Sequence, residues 1–389
     1  MIELNNIIKA YQQTDFASRK AALATVVKVT GSSYRSPGAR MYITDDGRWV
    51  GSISGGCLEG DALRKAREIM ASGISKMITY DTMEDDNSSL GVGLGCNGII
   101  HILLEPINEL NDPIKLLQSI QVLEQESAMA TVYESTMDEL AVGEKILWNE
   151  QLDLGQKSTC KQLIIDDLLK GIKNNGARTK TYSIKNKSCS VFLEVFQPPI
   201  DLLIFGGGFD SQPVAKFAQQ LGWKVTVLDE CVAHLLPINF PDAQLSGCQR
   251  NDVTSNIVVK PFSAAVLMSH NYYYDLEVLR QLLPTEIKYI GILGPKKKGD
   301  KMLDELESNK IKLTKWDKHR IHNPIGIDIG AESPEEIAFS IIAEIKAKFS
   351  GRSAGFLKYK AGPIHDKGQT EEVFKQVYIS DTLKRSKRV

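Results

Sequence analysis

The alternation of apolar and polar residues divides this chain into two parts, which differ in the order of their strand-like and helix-like segments. In the first part, the pattern predicts a strand in LATVVKVTGSS, a hairpin turning at Asp46-Gly47, and a helix in DALRKAREIMASG that ends at Gly73. The run GIIHILLEP predicts a further strand that stops at Pro106. Together these elements indicate a mixed α+β domain.

The middle of the chain is polar and predicts the strands AMATVYES and KSCSVFLEVF, with the helix KQLIIDDLLKGI between them. The expected domain boundary is Gln197-Pro198-Pro199, because consecutive prolines cannot join a β-ladder and favour an extended linker. We therefore expect an N-terminal domain of residues 1–197 with a variable part at 107–190, a second domain of residues 198–350 and an extension of residues 351–389.

Beyond this boundary, strand-like and helix-like segments alternate regularly. The pattern predicts the strand AAVLMS, a helix from about Asp275, the strand KYIGILG and a helix starting near Gly299. A last helix begins at Ser333, where Ser-Pro-Glu-Glu provides a capping side chain, a proline at the first helical position and an acid at the third. Such alternation favours a doubly wound parallel sheet, so the predicted fold class is α/β.

The length and composition are compatible with this two-domain organisation. The chain has 389 residues, 42% hydrophobic and 24% charged, as in ordinary globular proteins. A formal net charge of −1 provides no drive towards nucleic acid or an anionic membrane. No apolar run approaches the roughly 20 residues that span a bilayer, and the N-terminus lacks a signal-peptide pattern, so we expect a cytoplasmic location.

The cysteines and histidines are scattered. None of the six cysteines forms a CxxC pair, and the six histidines form no close pair or HExxH motif. In a protein that is not exported, this pattern predicts reduced thiols and no built-in structural metal site. Four cysteines are expected to be structural: Cys160, Cys189, Cys231 and Cys248.

Three glycine-rich stretches stand out in the N-terminal domain: GSSYRSPGARM (31–41), GSISGGCLEGD (51–61) and LGVGLGCNG (90–98). Glycine loops allow a ligand to approach the backbone closely and can form N–H nests for anionic oxygens. Arg35 and Arg40 are candidates for bidentate phosphate contacts. The alternative is that these glycines serve only turns and tight strand crossings.

Cys57 is the principal candidate thiol. It follows Gly55-Gly56 and directly precedes a helix starting near Glu59, where the helix dipole favours a thiolate. A thiolate can hold a soft metal or a transferable sulfur, although a cysteine can equally be a small buried hydrophobe. Cys96 has similar neighbours but no evident helix. We take Gly55, Gly56, Cys57, Glu59 and Cys96 as candidate cofactor-binding residues, with Cys57 as the metal contact.

The segment LLIFGGGFDSQPVAKFAQQLGWKVTVLDE has the outline of a βαβ nucleotide-binding unit. Gly206, Gly207 and Gly208 follow the first strand, where a helix N-terminus favours phosphate, and Asp229 lies where a ribose-binding acid is expected. The third glycine of the fingerprint is replaced by Ser211, so the motif is incomplete.

Two further candidates follow predicted strands of this domain. His270 is suited to acid–base chemistry or to donating a hydrogen bond to phosphate, or alternatively to capping the next helix. Lys296 opens a run of three lysines at a strand end, which predicts either phosphate binding or a solvated surface.

These blocks together resemble the XdhC/CoxI family of molybdenum-enzyme accessory proteins. The matching sequences in the C-terminal part are FGGGFDSQPVA, VTVLDE, MSHNYYYD, YIGILGPKKK and RIHNPIGIDIGAESPEEIAFSIIAEI. The resemblance implies a characteristic N-terminal domain followed by a Rossmann-like domain. Many members have a histidine just after the triple glycine, where this chain has Phe209-Asp210.

The resemblance implies an accessory chaperone rather than a catalyst. It would bind molybdenum cofactor transiently, support its sulfuration and insert it into xanthine dehydrogenase or a related hydroxylase. Its implied partners are that molybdenum enzyme and a cysteine desulfurase, and a homodimer is compatible with the family. Two alternatives stay open: an NAD(P)-dependent oxidoreductase, and a structural component of a molybdenum hydroxylase.

Overall fold

The computed structural model describes residues 2–82, 98–109, 111–122, 125–148, 159–174, 177–184 and 186–361. These residues form two compact units, Glu3–Gln197 and Pro198–Ala361, which we call the N-terminal and C-terminal units. Within the described ranges, no helix is long and apolar enough to cross a membrane.

The N-terminal unit is built on two antiparallel sheets. Its elements are α1 (Ile2–Gln12), β1 (Ala21–Gly31), β2 (Arg40–Thr44), β3 (Trp49–Gly51), α2 (Glu59–Ser72), β4 (Lys76–Asp81), β5 (Gly98–Ile107), α3 (Pro113–Val122), β6 (Ser127–Ser135), β7 (Lys145–Trp148), α4 (Thr159–Asn174), β8 (Arg178–Ile184) and β9 (Lys187–Phe196). One sheet has the order β3-β2-β1-β5-β4 and the other the order β7-β6-β9-β8.

The five-stranded sheet and α2 share an apolar core. Alternate residues of β1 and β5 pack against the buried face of α2, which includes Ala62, Ala66 and Ile69. The predicted hairpin and helix are confirmed: β2 pairs with β3 around Gly47, and α2 ends at Gly73 in a left-handed conformation. The predicted strand end was one residue early, because Pro106 still lies within β5.

Two buried ion pairs join the sheets of this unit. Arg40 on β2 pairs with Glu194 on β9, and Lys145 on β7 pairs with Glu105 on β5. In each pair, one partner comes from the five-stranded sheet and the other from the four-stranded sheet. The packing of one sheet against the other therefore depends on charges taken out of water.

The C-terminal unit is a six-stranded parallel sheet with helices. Its elements are β10 (Asp201–Phe205), α5 (Ser211–Gln220), β11 (Lys224–Asp229), β12 (Gln244–Gly247), β13 (Ser263–Leu267), α6 (Tyr272–Leu282), β14 (Tyr289–Ile292), α7 (Lys296–Ser308), α8 (Lys315–Arg320), β15 (Ile321–His322) and α9 (Pro334–Phe349). The strand order is β12-β11-β10-β13-β14-β15. Apolar residues of α5 and α9 cover one face, and those of α6 and α7 cover the other, so the predicted doubly wound fold is confirmed.

Side chains cap the starts of α6, α8 and α9, whereas α5 and α7 begin without a side-chain cap. At α9, Ser333 accepts a hydrogen bond from the Glu336 backbone N–H, and the Glu336 carboxylate accepts one from the Ser333 N–H, which confirms the predicted cap. The helix expected from Asp275 begins earlier, because the Asn271 side chain caps α6 by accepting from the Tyr274 N–H at 3.2 Å. The helix predicted near Gly299 begins at Lys296.

Candidate functional site

The loop before α2, residues 51–58, contains Cys57 and is held together by Ser54. We call it the Cys57 loop. The Ser54 hydroxyl oxygen accepts hydrogen bonds from the backbone N–H groups of Gly56 and Leu58, both at 3.1 Å, and donates to Glu59 Oε2 at 2.5 Å. Glu59 Oε1 also accepts from the Ser54 N–H at 2.9 Å. Glu59, which is predicted to bind cofactor, is buried and holds the loop through its hydrogen bonds with Ser54.

This network makes the loop sensitive to acid. Burial raises the pKa of Glu59, but the hydrogen bonds from Ser54 and Ser52 lower it by more, so the folded pKa lies below its ordinary value. Because a depressed pKa stabilises the fold above the unfolded pKa, this contribution is lost as the pH falls through the folded pKa. Wild type should therefore exceed Glu59→Gln in unfolding free energy by about 1.5–3 kcal/mol at neutral pH, and by progressively less in acid.

Denaturant unfolding of both proteins from pH 7 downwards measures this difference. The matched control is Glu68→Gln on the same helix, whose carboxylate is largely exposed and should produce no comparable loss. A Glu59→Gln deficit that is constant with pH would show that the carboxylate charge is not what holds the loop.

Cys57 lies next to Leu58, the N-cap residue of α2, and is half-buried. Its sulfur is 3.6 Å from the Ser54 hydroxyl oxygen. Gly56 has a left-handed φ of 113°, whereas Gly55 lies against the Tyr34 ring. Apart from the two chain neighbours of Gly56, no atom of the described residues lies within 4 Å of where its side chain would begin. Within the part of the chain that the structure describes, the loop therefore leaves space at Gly56, the residue before the thiol. Among the described residues, no group of three His, Cys, Asp or Glu side chains is placed to hold a metal ion, so a metal at Cys57 would need other ligands of its own.

The two arginine candidates have partners within the chain. Arg35 is ion-paired with Glu3 and stays partly exposed. Arg40 is buried, pairs with Glu194 and donates to the Gly38 carbonyl at 2.9 Å. The guanidinium of Arg40, predicted to contact a ligand phosphate, is therefore occupied by partners within the chain and joins two sheets. Cys96, with residues 90–97 of its glycine-rich stretch, lies outside the described residues.

In the C-terminal unit, the carboxyl ends of the parallel strands lie along one edge of the sheet, and the triple glycine follows β10 at this edge. We call this edge the crevice. Gly206 has φ of 126°, and a Cβ there would lie 2.5 Å from the Met268 carbonyl oxygen, so only glycine fits. Ser211, at the place of the third fingerprint glycine, is buried and donates its hydroxyl to the Gly208 carbonyl at 2.7 Å. The serine thus replaces the glycine by bonding back to the turn.

His270 and Asp210 meet at the point where the strand order reverses. Asp210 follows β10 and His270 follows β13, and His270 Nε2 lies 2.8 Å from Asp210 Oδ2. The imidazole side chain is 68% exposed and stands on a left-handed residue with φ of 58°. Crevices at such switch points are where ligands bind in open α/β sheets. His270 was predicted as a candidate, but Asp210 was missed because only the pairing of β10 with β13 brings it close.

A buried ion pair supports the turn that carries His270. Asp275 Oδ1 accepts from the Ser269 hydroxyl at 2.6 Å, and its Oδ2 accepts from Lys298 Nζ at 2.7 Å. Lys296, the predicted phosphate contact, is exposed at the first residue of α7. Within the lysine run, Lys296 is therefore available to a ligand, whereas Lys298 is structural.

Asp229 lies at the end of β11, as predicted, but its carboxylate faces the chain itself. Asp229 Oδ2 accepts from the Gly207 N–H at 2.7 Å and lies 3.0 Å from His234 Nδ1, and Oδ1 accepts from the Cys231 N–H at 2.7 Å. The residue is only 6% exposed. The carboxylate that is predicted to bind a ribose is therefore occupied by groups of the chain itself in this conformation.

The remaining cysteines differ in environment. Cys160, Cys189 and Cys248 are buried, as expected for structural residues, and burial raises the pKa of the Cys160 thiol to about 11. Cys231, which is also predicted to be structural, is exposed and differs from these three in not being buried. Its position in the turn after β11 explains the exposure, since the turn leaves the sheet there.

Comparisons with known proteins cover most of the chain. Residues 17–81 match the family described as "XdhC and CoxI family", and residues 202–345 match the "XdhC Rossmann domain". A Bacillus subtilis protein, named as a probable component of xanthine dehydrogenase, is 31% identical over 84% of this chain and 92% of its own length. The "molybdenum cofactor insertion chaperone PaoD" of Escherichia coli is 23% identical over 85% of this chain and 83% of its own.

A solved structure is similar over nearly its whole length. It is described as a xanthine dehydrogenase from Bacillus halodurans, has 28% sequence identity and superimposes with a TM-score of 0.70. The similarity covers 90% of this chain and 96% of that one. The likeness therefore includes both units of the chain.

Proposed function

This chain belongs to the XdhC and CoxI family, and we propose that it is an accessory chaperone that binds molybdenum cofactor and inserts it into a molybdenum hydroxylase of the xanthine dehydrogenase type. The observation that carries the proposal is similarity over most of the chain to relatives whose names describe a xanthine dehydrogenase component and a molybdenum cofactor insertion chaperone. The cofactor is cargo here, so the protein needs groups that hold it and release it.

The crevice of the C-terminal unit suits the phosphate of this cargo. The turn Gly206–Gly208 precedes the N-terminus of α5, and His270 and Lys296 follow neighbouring strands with their side chains exposed. Backbone N–H groups at a helix start and nearby cationic side chains are the usual ligands of a phosphate. We assign these residues as the phosphate contacts.

The Cys57 loop suits the sulfur-bound metal of the cargo. The cofactor brings its own molybdenum on dithiolene sulfurs, so a single soft thiol is enough to contact it. Cys57 is half-buried beside the open space at Gly56, and the network of Ser54 and Glu59 fixes the loop. We assign Cys57 as this contact. Each assignment is built within its own unit, and the experiment below tests the assignment of Cys57.

Three finer features belong to the same proposal. The bound cofactor is sulfurated before delivery, with the sulfur supplied by a cysteine desulfurase. The protein acts as a homodimer, and it carries out no catalytic turnover of its own. An NAD(P)-dependent oxidoreductase is the weaker candidate, because the Asp229 carboxylate is already bound to the backbone N–H groups of Gly207 and Cys231.

The test is anaerobic titration of the purified protein with molybdenum cofactor, with bound molybdenum determined after gel filtration. We expect stoichiometric binding by wild type and at least tenfold weaker binding by Cys57→Ala, because a soft metal contact is lost. Cys160→Ala, which removes a buried thiol from another part of the same unit, is the matched control and should bind like wild type.

The outcomes separate the parts of the proposal. Failure of wild type to bind the cofactor would contradict the chaperone function. Equal binding and equal delivery to a cofactor-free hydroxylase by wild type and Cys57→Ala would leave the function standing and remove Cys57 from it.

A further inference from the structure

The candidate polar groups on the two sides of the switch point differ in exposure. On the β13 side, the side chains of His270 and Lys296 are exposed. On the β11 side, Asp229 is 6% exposed and is covered by the turn that follows it. A dinucleotide lies across such a crevice and needs both sides, since the acid at the end of the second strand holds one of its riboses.

His234 provides the covering group. This residue ends a single 3-10 turn, Val232–His234, and its Nδ1 lies 3.0 Å from Asp229 Oδ2. A Cβ placed on Gly207 would lie 3.0 Å from His234 Cβ and 3.2 Å from the His234 carbonyl oxygen. His234 therefore lies directly on the glycine turn, beside the carboxylate that would otherwise face a ribose.

The turn that presents His234 is anchored at both ends. The Cys231 N–H donates to Asp229 Oδ1 at 2.7 Å, and the His234 N–H donates to the Cys231 carbonyl at 3.0 Å. Leu235, the next residue, is buried in the apolar core beneath the sheet. A ribose could reach Asp229 only by displacing an imidazole held by this framework, and it would then have to replace the hydrogen bond that His234 makes.

We propose that His234 is a specificity-determining residue that closes the ribose side of the crevice, so that the crevice accepts a phosphate-bearing ligand on the His270 side and rejects nicotinamide and adenine dinucleotides. The identity of the ligand that the crevice accepts rests on the proposed function. The rejection of dinucleotides does not depend on it. Its physical basis is that an occupied, buried carboxylate cannot bind a sugar diol without losing its existing partners.

Calorimetric titration with ADP-ribose and with NAD⁺ tests the proposal on the full-length protein. Wild type should show no binding at millimolar ligand, and His234→Ala should gain at least tenfold in ADP-ribose affinity. His234→Gln retains a side chain of similar reach with an amide that can donate to Asp229, so it should reject ADP-ribose as wild type does. His319→Ala, an exposed histidine on α8, is the control for loss of an imidazole elsewhere in the same unit.

Two results would overturn the proposal. One is micromolar binding of ADP-ribose or NAD⁺ to wild type, which needs no variant and so does not depend on any variant folding. The other is a His234→Ala protein that keeps the wild-type melting temperature and gains no affinity. Neither result bears on binding of molybdenum cofactor, which is measured in the separate titration, so the two proposals can fail independently.

Discussion

Arg40→Met should destabilise the protein by about 3–5 kcal/mol, lowering the melting temperature of the N-terminal unit by on the order of 10 °C. The substitution removes the cation from a buried pair and leaves the Glu194 carboxylate without its partner between two sheets. It also removes the hydrogen bond to the Gly38 carbonyl and the contact of the guanidinium with the Phe196 ring, whose centroid is 5.7 Å away. Calorimetry and denaturant unfolding measure the loss.

Two comparisons identify the cause of this loss. Arg48→Met changes an 86% exposed arginine of the same hairpin and should shift the stability by no more than about 0.5 kcal/mol. Arg40→Met combined with Glu194→Leu should recover much of the loss, because an apolar pair needs no charge compensation. If the double variant is as unstable as the single one, the unpaired carboxylate is not the cause.

The same defect should depend on pH in a defined direction. Burial raises the pKa of Glu194, while Arg40 opposes that effect. Without Arg40, the folded variant binds a proton at Glu194 more readily than the unfolded chain does. Its deficit relative to wild type should therefore shrink as the pH falls and grow as the pH rises.

Arg35 and Arg40 show what the sequence can and cannot predict about the N-terminal unit. They lie in one glycine-rich stretch and look equivalent, and the strand and hairpin around them follow from apolar periodicity and from Gly47. The pairing of Arg40 with Glu194 joins residues far apart in the chain and depends on how two sheets pack. Local patterns carry no information about that packing, so the sequence could not show that Arg40 already has a buried partner within the chain.

In the C-terminal unit, the strands β10, β11, β13 and β14 and the helices α5, α6, α7 and α9 were predictable because those strands are apolar and alternate with helix-like segments. The short elements β12, α8 and β15 were not predicted from the sequence. The positions of the triple glycine, Asp229 and His270 at strand ends followed from that order. The hydrogen-bond partners did not. Asp210 and His234 became part of the crevice only through strand pairing and through a short turn that the sequence does not mark.

The lysine run Lys296–Lys298 also shows that the partners of a side chain cannot be predicted from its position in the sequence. A helix beginning at Lys296 points successive side chains in directions about 100° apart, so the three lysines cannot share one role. Lys296 and Lys297 are exposed, whereas Lys298 turns inward to Asp275. Because the helix start was predicted near Gly299, the inward-facing lysine could not be identified from the sequence.

Lys298→Met should therefore be far more damaging than Lys297→Met. The first change leaves the fully buried Asp275 carboxylate without its cation, and we expect a loss of about 3–5 kcal/mol. The second changes an exposed neighbour in the same helical turn and should stay within about 0.5 kcal/mol of wild type. Unfolding in denaturant, followed by fluorescence of a C-terminal-unit tryptophan such as Trp223 or Trp316, compares the two variants directly.

The Lys298 defect should also reach the crevice, because Asp275 holds Ser269 immediately before His270. At temperatures where the Lys298→Met protein is still folded, NMR should show shifted or broadened His270 ring signals, while Lys297→Met leaves them unchanged. Lys298→Met combined with Asp275→Asn removes the unpaired charge and should recover stability. Unchanged His270 signals together with lost stability would mean that the ion pair holds α6 to α7 without positioning the histidine.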